Sequence, residues 1–220
     1  MLATLPLPIY FLIGGLISIF LPKGAVKSSF VCLVPVIALL VLLNGGWDDG
    51  FKVQFLDLEL NFMRVDKLST VFGIIFCIAA FIGNLFAFHL RESTQPFVAL
   101  IYSGAAIGAV FAGDLVTLFV YWELTAISSV FLIWARKTEG AYHSGMRYLI
   151  IQVLSGVVLL FGVALFYFET GSISFVKMEL NSLATALIFV AFGIKCAFPF
   201  MHNWLQDSYP SATITGTVIL

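Results

Sequence analysis

The chain has 220 residues, of which 61% are hydrophobic and 10% charged, with a formal net charge of −1. Soluble domains are about half apolar and about a quarter charged. No globular core of this length buries so much apolar side chain, so lipid must solvate most of it. The near-neutral charge also excludes a basic nucleic-acid-binding surface.

The N-terminal run MLATLPLPIYFLIGG carries no basic n-region and no small-residue cleavage site. A cleaved signal peptide is therefore not expected, and the first helix is retained. A spanning helix needs roughly 20 mostly apolar residues. By that rule helix 1 runs from about Leu5 to Leu21 and helix 2 from about Phe30 to Leu43, the latter short enough to borrow from its flanks. Phe51, Val53 and Phe55 then alternate with polar residues, and after a phase slip Leu58, Leu60 and Phe62 do the same. Period two reads as strand and a phase slip as a bulge or tight turn, so an extended or hairpin segment on the membrane surface is expected near 51–66.

Helix 3 follows at about Leu68–Leu90, helix 4 at about Pro96–Ala112 and helix 5 at about Leu115–Trp134. Helix 6 spans about Arg147–Phe168 and helix 7 about Leu183–Trp204. Gly104 and Gly108 form a GxxxG spacing on helix 4, read as close helix packing, and Asp114 is read as the N-cap of helix 5. An eighth apolar segment begins near Ser211, and Thr-Val-Ile-Leu offers none of the usual helix stops. The segment reads as interrupted, so the chain is expected to be insufficient by itself for transport. The fold class is thus all-α, a polytopic membrane bundle of about seven helices plus the start of an eighth. Cys32, Cys77 and Cys196 lie in apolar runs, odd in number and far apart, which gives neither a disulfide framework nor a metal motif. No nucleotide loop or haem motif occurs, and no cofactor or metal is expected.

Two ionisable residues fall inside predicted helices, Glu123 and Lys195. An ionised side chain at mid-membrane costs roughly 3 kcal/mol or more, and such residues face a bundle interior, pair, or line a polar path. At 1.5 Å per residue Glu123 lies about 12 Å and Lys195 about 18 Å from the same membrane side, close enough to meet once helices tilt. The competing reading is a structural ion pair. Pro199, four residues after Lys195, removes a backbone hydrogen bond to the Lys195 carbonyl, and Gly193 loosens the same turn. A helix broken beside a buried charge frees carbonyls for ions or water, although a simple kink would leave the same trace. His202, two turns beyond Lys195, is a candidate proton relay or else an interfacial histidine. Gln152 and Ser155 on helix 6, and Thr125, Ser128 and Ser129 after Glu123, are either relay residues or packing glue.

DLVTLFVYWELTAISS resembles helix 5 of the antiporter-like membrane subunits, and FGIKCAFPFMHNWLQDSYPSA resembles their helix 7 signature. The wording of the second run is most similar to the D component of the Mrp cation/proton antiporters, which are related to the proton-translocating subunits of respiratory complex I and of membrane hydrogenases. The resemblance implies that Glu123 and Lys195 form the central pair of a proton half-channel. It departs at Gln206, where the family usually has Pro after Trp-Leu, and at Ala212-Thr213, where it has Ala-Pro. Family members carry about fourteen helices, in an inverted pair of five-helix repeats after three leading helices. By that comparison residues 1–112 are the leading helices 1–4, and 113–220 are the core of the first repeat. The resemblance further implies a component of a hetero-oligomeric antiporter exchanging protons for a monovalent cation, Na⁺ first, with other membrane subunits as partners in a bacterial inner membrane. The alternatives are a proton-pumping component of a complex I-like quinone oxidoreductase or hydrogenase, and a non-transporting scaffold.

Loop charge sets the expected orientation. Loops 1–2, 3–4 and 5–6 carry Lys23, Lys27, Arg91, Arg136, Lys137 and Arg147. The opposite side carries Lys52, Arg64, Lys67 and Lys177, together with most of the acidic residues, among them Asp48, Asp49, Asp57 and Glu59. The excess of basic residues places loop 5–6 in the cytoplasm and the N-terminus outside. A single Cys introduced in loop 5–6 of a Cys-free background should resist impermeant thiol reagents applied from outside, and ready labelling would reverse the orientation.

Overall fold

The structure, a computed structural model, describes residues 5–45, 51–56, 58–90, 92 and 94–220. Asp48, Asp49, Asp57 and Arg91, counted above among the loop charges, lie outside the described residues. The helices are α1 Leu7–Phe20, α2 Ala25–Leu43, α3 Lys67–Phe86, α4 Thr94–Phe111, α5 Leu115–Trp134, α6 Glu139–Thr170, α7 Leu183–Lys195, α8 Asn203–Ser208 and α9 Ile214–Ile219. Single 3₁₀ turns sit at Ala87–His89 and Tyr209–Ser211. The chain is an all-α, multi-pass membrane bundle. Among the described residues five helices are long and apolar enough to cross a bilayer, namely α2, α3 with its 3₁₀ extension, α4, α5 and α6, while α1 and α7 are apolar but shorter. The apolar surface points outward, with Phe20 at 87%, Phe168 at 84% and Phe200 at 96% exposure. In water such a surface would be a liability, whereas in hydrocarbon it is solvated.

Three boundaries differ from expectation for identifiable reasons. Helix α2 begins at Ala25, which turns Lys27 from a loop residue into a buried residue of the first helical turns. Helix α6 begins at Glu139, eight residues before Arg147, because the Thr138 hydroxyl caps Ala141 N and carries the helix through a polar turn that hydropathy does not register. The largest correction is helix 7. It stops at Lys195, and Trp204 belongs to the separate helix α8. Pro199 disfavours helical geometry at Phe198, and the backbone closes one turn earlier. Ala197 takes φ +54°, its N–H donates to the Ile194 carbonyl and the Phe198 N–H donates to Gly193 O at 2.9 Å. This is a Schellman end with Ala in the left-handed position usually given to Gly.

Packing divides into a cluster of α1–α4, with Phe11, Leu100 and Phe111 fully buried, and a cluster of α5–α7 around Leu115, Leu159 and Ala191. The GxxxG glycines serve different neighbours. A Cβ at Gly104 would strike Phe11 of α1, and one at Gly108 would strike the Tyr121 ring of α5.

Strands β1 (Phe51–Phe55) and β2 (Leu58–Met63) form an antiparallel hairpin in which Val53 faces Leu60 and Phe55 faces Leu58. The hairpin is tied to the bundle through Asp114. This buried N-cap of α5 accepts hydrogen bonds from Thr117 N, Thr117 Oγ1 and Asn61 N of β2, each 2.7 Å. Gly113 N donates to Asn61 O, Arg64 N to Phe111 O, and Leu115 N to Ile173 O, so three segments share one backbone junction. Asp114→Ala removes a cap and strands two further donors, and should lower stability by about 2–3 kcal/mol, with Asp114→Asn costing less. Thermal unfolding in lipid nanodiscs reads the difference.

Candidate functional site

Helix α5 carries the site on adjacent faces. Successive residues on a helix are about 100° apart, so Trp122 and Thr125 share a face that Glu123 does not. Lys195, the last residue of α7, reaches the first face. Its Nζ donates to Thr125 Oγ1 at 3.2 Å and to the Trp122 carbonyl at 3.5 Å, and it lies 5.2 Å from the centroid of the Trp122 ring. The Thr125 hydroxyl donates in turn to the Trp122 carbonyl at 2.6 Å. A cation over an indole face is attracted by the ring quadrupole, and the two oxygens supply hydrogen bonds to the partly buried ammonium.

Glu123 turns the other way, toward α6. Its carboxylate occupies the space that a side chain at Gly156 would fill, and its Oε1 is buried with no hydrogen-bond partner among the described residues. The ion pairs within 4.0 Å among those residues lie at the surface, and none joins Glu123 to Lys195. The expected pair is thus two charges that both meet α5 without a direct ion pair.

A cleft of about 430 Å³ opens beside Lys195, bounded by Thr125, Gln152, Tyr148, Trp122, Phe192 and Tyr102, among others. Gln152 is fully buried, and both polar atoms of its side chain lack partners. Buried polar atoms without partners are uncommon and call for water or a moving proton. Ser155 accepts the Trp122 indole N–H at 3.1 Å and donates to the Gln152 carbonyl. Ser128 spends its hydroxyl on its own helix, at Leu124 O, and Ser129 on Tyr148 and Ala126 O.

His202 does not share a helical face with Lys195, because the break at residues 196–202 intervenes, and it does not line the cleft. Instead it is the N-cap residue of α8. Pro199 lies in the break itself and is exposed, and Gly193 lets the Phe198 ring fold against it at 3.1 Å from a would-be Cβ. Sequence reasoning missed three contributors. Trp122 bridges α5 to α6 and covers Lys195, Gly156 makes room for Glu123, and Trp204 donates its indole N–H to the Ile194 carbonyl at 3.0 Å, adding a second donor to the one Ala197 N–H supplies at the end of α7. Trp122 borders the one intramembrane carboxylate in the sequence. Gly156 follows Ser155 directly on the polar face of helix 6.

Residues 112–220 match the family described as NADH:quinone oxidoreductase/Mrp antiporter, transmembrane. Those residues carry the membrane domain that the family describes. It is 30% identical over 71% of its length to the A component of the Na⁺/H⁺ antiporter of Alkalihalophilus pseudofirmus, covering 22% of that protein. It is 28% identical over 90% of its length to NAD(P)H-quinone oxidoreductase subunit 2 of Rippkaea orientalis, covering 42% of it. The fold superposes on a chain of the Mrp complex from Dietzia sp. DQ12-45-1b with TM-score 0.78 at 22% identity, over 97% of this chain and 45% of that one. The chain therefore spans less than half the length of these relatives.

Thr125 is the hydroxyl that both holds Lys195 and reports on this geometry. Thr125→Val should cost about 1–3 kcal/mol in thermal unfolding, since it leaves a partly buried ammonium one acceptor short. Thr125→Ser should stay near the native value.

Proposed function

We infer that this chain is the proton-carrying part of a monovalent cation/proton antiporter assembly, with Na⁺ as the first candidate cation. Lys195 binds and releases the proton, and Glu123 is its countercharge. The observation that carries this reading is the position of the Lys195 amine. It sits at the end of a broken helix, beside a cleft, held by one hydroxyl and one carbonyl, with an unpaired carboxylate on the next face of the same neighbouring helix. A carboxylate brought near an amine favours its charged form, and withdrawing it favours proton release. Thr125 holds the amine, Ser155 steadies Trp122, and the bare amide of Gln152 faces the cleft as an anchor for water. The loop charges favour an N-terminus outside and loop 5–6 in the cytoplasm. Other membrane subunits complete the assembly, and the chain itself performs no redox step.

A place in a complex I-like assembly is the second reading, favoured by the likeness to the Rippkaea orientalis protein. The same pair would then move protons under redox drive from partner subunits. Gene neighbourhood separates the two, since further antiporter subunits favour the first and iron–sulfur or flavin subunits the second.

The pair is tested in the complete assembly. Lys195→Ala should abolish translocation through this half-channel with complex abundance maintained, because it removes the proton carrier. Glu123→Ala should abolish transport or shift its pH range. If the two residues are only structural, each single substitution should chiefly reduce abundance by stranding a buried charge, and the double substitution should restore it. A double variant that transports normally would overturn the proton-pair reading.

A further inference from the structure

We propose that Gly156 is a positioning residue, and that the notch left by its missing side chain is a docking station where the Glu123 carboxylate rests away from Lys195. The proposal rests on the proton-pair reading above and adds a third residue, on a third helix, that sets where the carboxylate spends its time.

Four observations converge on it. First, a Cβ at position 156 would overlap Glu123 Oε1 outright and approach Glu123 Cδ to 2.7 Å, closer than real Cβ contacts come. The carboxylate and any larger residue at 156 therefore exclude each other. Second, the notch holds the carboxylate by shape and not by bonding, for Oε1 is buried with no donor among the described residues. A station that leaves one oxygen bare is one the carboxylate can leave, because moving to a donor recovers the missing interaction. Third, the nearest cation, Lys195, is occupied on the other face by Thr125 Oγ1 and the Trp122 carbonyl. Exchanging those two neutral acceptors for a carboxylate is a local rearrangement of one amine. Fourth, Ser155, adjacent to Gly156, accepts the Trp122 indole N–H, and the Trp122 ring is the surface over which Lys195 sits. One pair of α6 residues thus holds both the carboxylate in its outlying position and the aromatic wall beside the amine.

Glycine inside a long helix is otherwise unfavourable, because alanine is the better helix former. Position 156 lies in the middle of the 32-residue α6, where that preference acts fully. Its absence of a side chain is accounted for by the carboxylate opposite. When Glu123 is docked it makes no direct ion pair with Lys195, and leaving the notch would free it to approach the amine more closely. Gly156 sets the balance between these two positions.

The experiment is a double-mutant cycle in the full assembly in nanodiscs, with the native chain, Gly156→Ala, Glu123→Ala and the double substitution. Complex abundance, melting temperature and transport per assembled complex are read for each. In the Glu123→Ala background, alanine at 156 should raise the melting temperature, as expected for Gly to Ala in a helix with empty space opposite. In the native background it should leave the melting temperature unchanged or lower it, and transport per complex should fall about tenfold, as when a two-position equilibrium is displaced by a decade. An equal shift of melting temperature in both backgrounds would overturn the notch. If Gly156→Ala fails to assemble, the double substitution decides. Its recovery supports the proposal, and its failure shows that glycine is needed there for packing alone. Because the melting-temperature cycle is independent of transport, a Glu123→Ala variant that transports with the native rate and the native pH range would sink the proton-pair reading and leave the notch standing.

Discussion

The carbonyls at the end of α7 are the constraint around which the site is arranged. A helix that stops within a membrane bundle must give its last C=O groups partners, since hydrocarbon offers none. Here Gly193 and Ile194 carbonyls are closed by the Phe198 and Ala197 N–H groups, and Ile194 also receives the Trp204 indole. With those bonds made, α7 can end at Lys195, and the amine is delivered to α5 at the helix terminus rather than along a helical face. The pivot costs a left-handed Ala197, roughly 1–2 kcal/mol by the usual steric argument. The Trp204 indole and the packing of α8 against α6, where Trp204 and Tyr148 rings lie 5.5 Å apart, offset it.

Trp122 is the counterpart on α5. Its carbonyl and ring face Lys195, while its N–H faces Ser155. A single residue therefore couples three helices. Among the described residues the buried polar atoms without partners include Glu123 Oε1 and both side-chain atoms of Gln152 near Trp122, and also Lys27 Nζ, Asn61 Oδ1 and Asn84 Nδ2 elsewhere. Elsewhere in the bundle hydroxyls are spent on the nearest carbonyl, as Ser128 and Thr170 show.

At the opposite end, the buried Asp114 plays an organising part of a different kind. It caps α5, fixes β2 and helps align the link that follows α6. The carboxyl of Asp66, which caps α3 outside the membrane, is held below the usual carboxylate range first by the Ser69 backbone N–H. That contribution to stability is present above the unfolded-state pKa and is lost as pH falls toward and through the folded one. Caps of this kind set where each span begins, and so the depth at which Glu123 is carried into the bundle.

Hydropathy and period alone determine that the chain lives in lipid, that it is a helical bundle, that residues 115–134 form one span and that the segment after helix 2 is extended. These follow because transfer of apolar surface and strand alternation are local properties of consecutive residues. The cost of intramembrane charge likewise singles out Glu123 and Lys195 without any coordinates. What only the tertiary structure decided is the relation between them. Which face of α5 each charge meets depends on where α7 stops, and that depends on Trp204 returning from α8 to a carbonyl ten residues earlier. The room for Glu123 depends on Gly156, 33 positions along the chain on another helix. His202 departs from expectation for the same reason, because a face calculated along an unbroken helix has no meaning across a break. Periodicity reports which side of its own helix a residue occupies, and side-chain partners across helices are set by packing distances that no single segment contains.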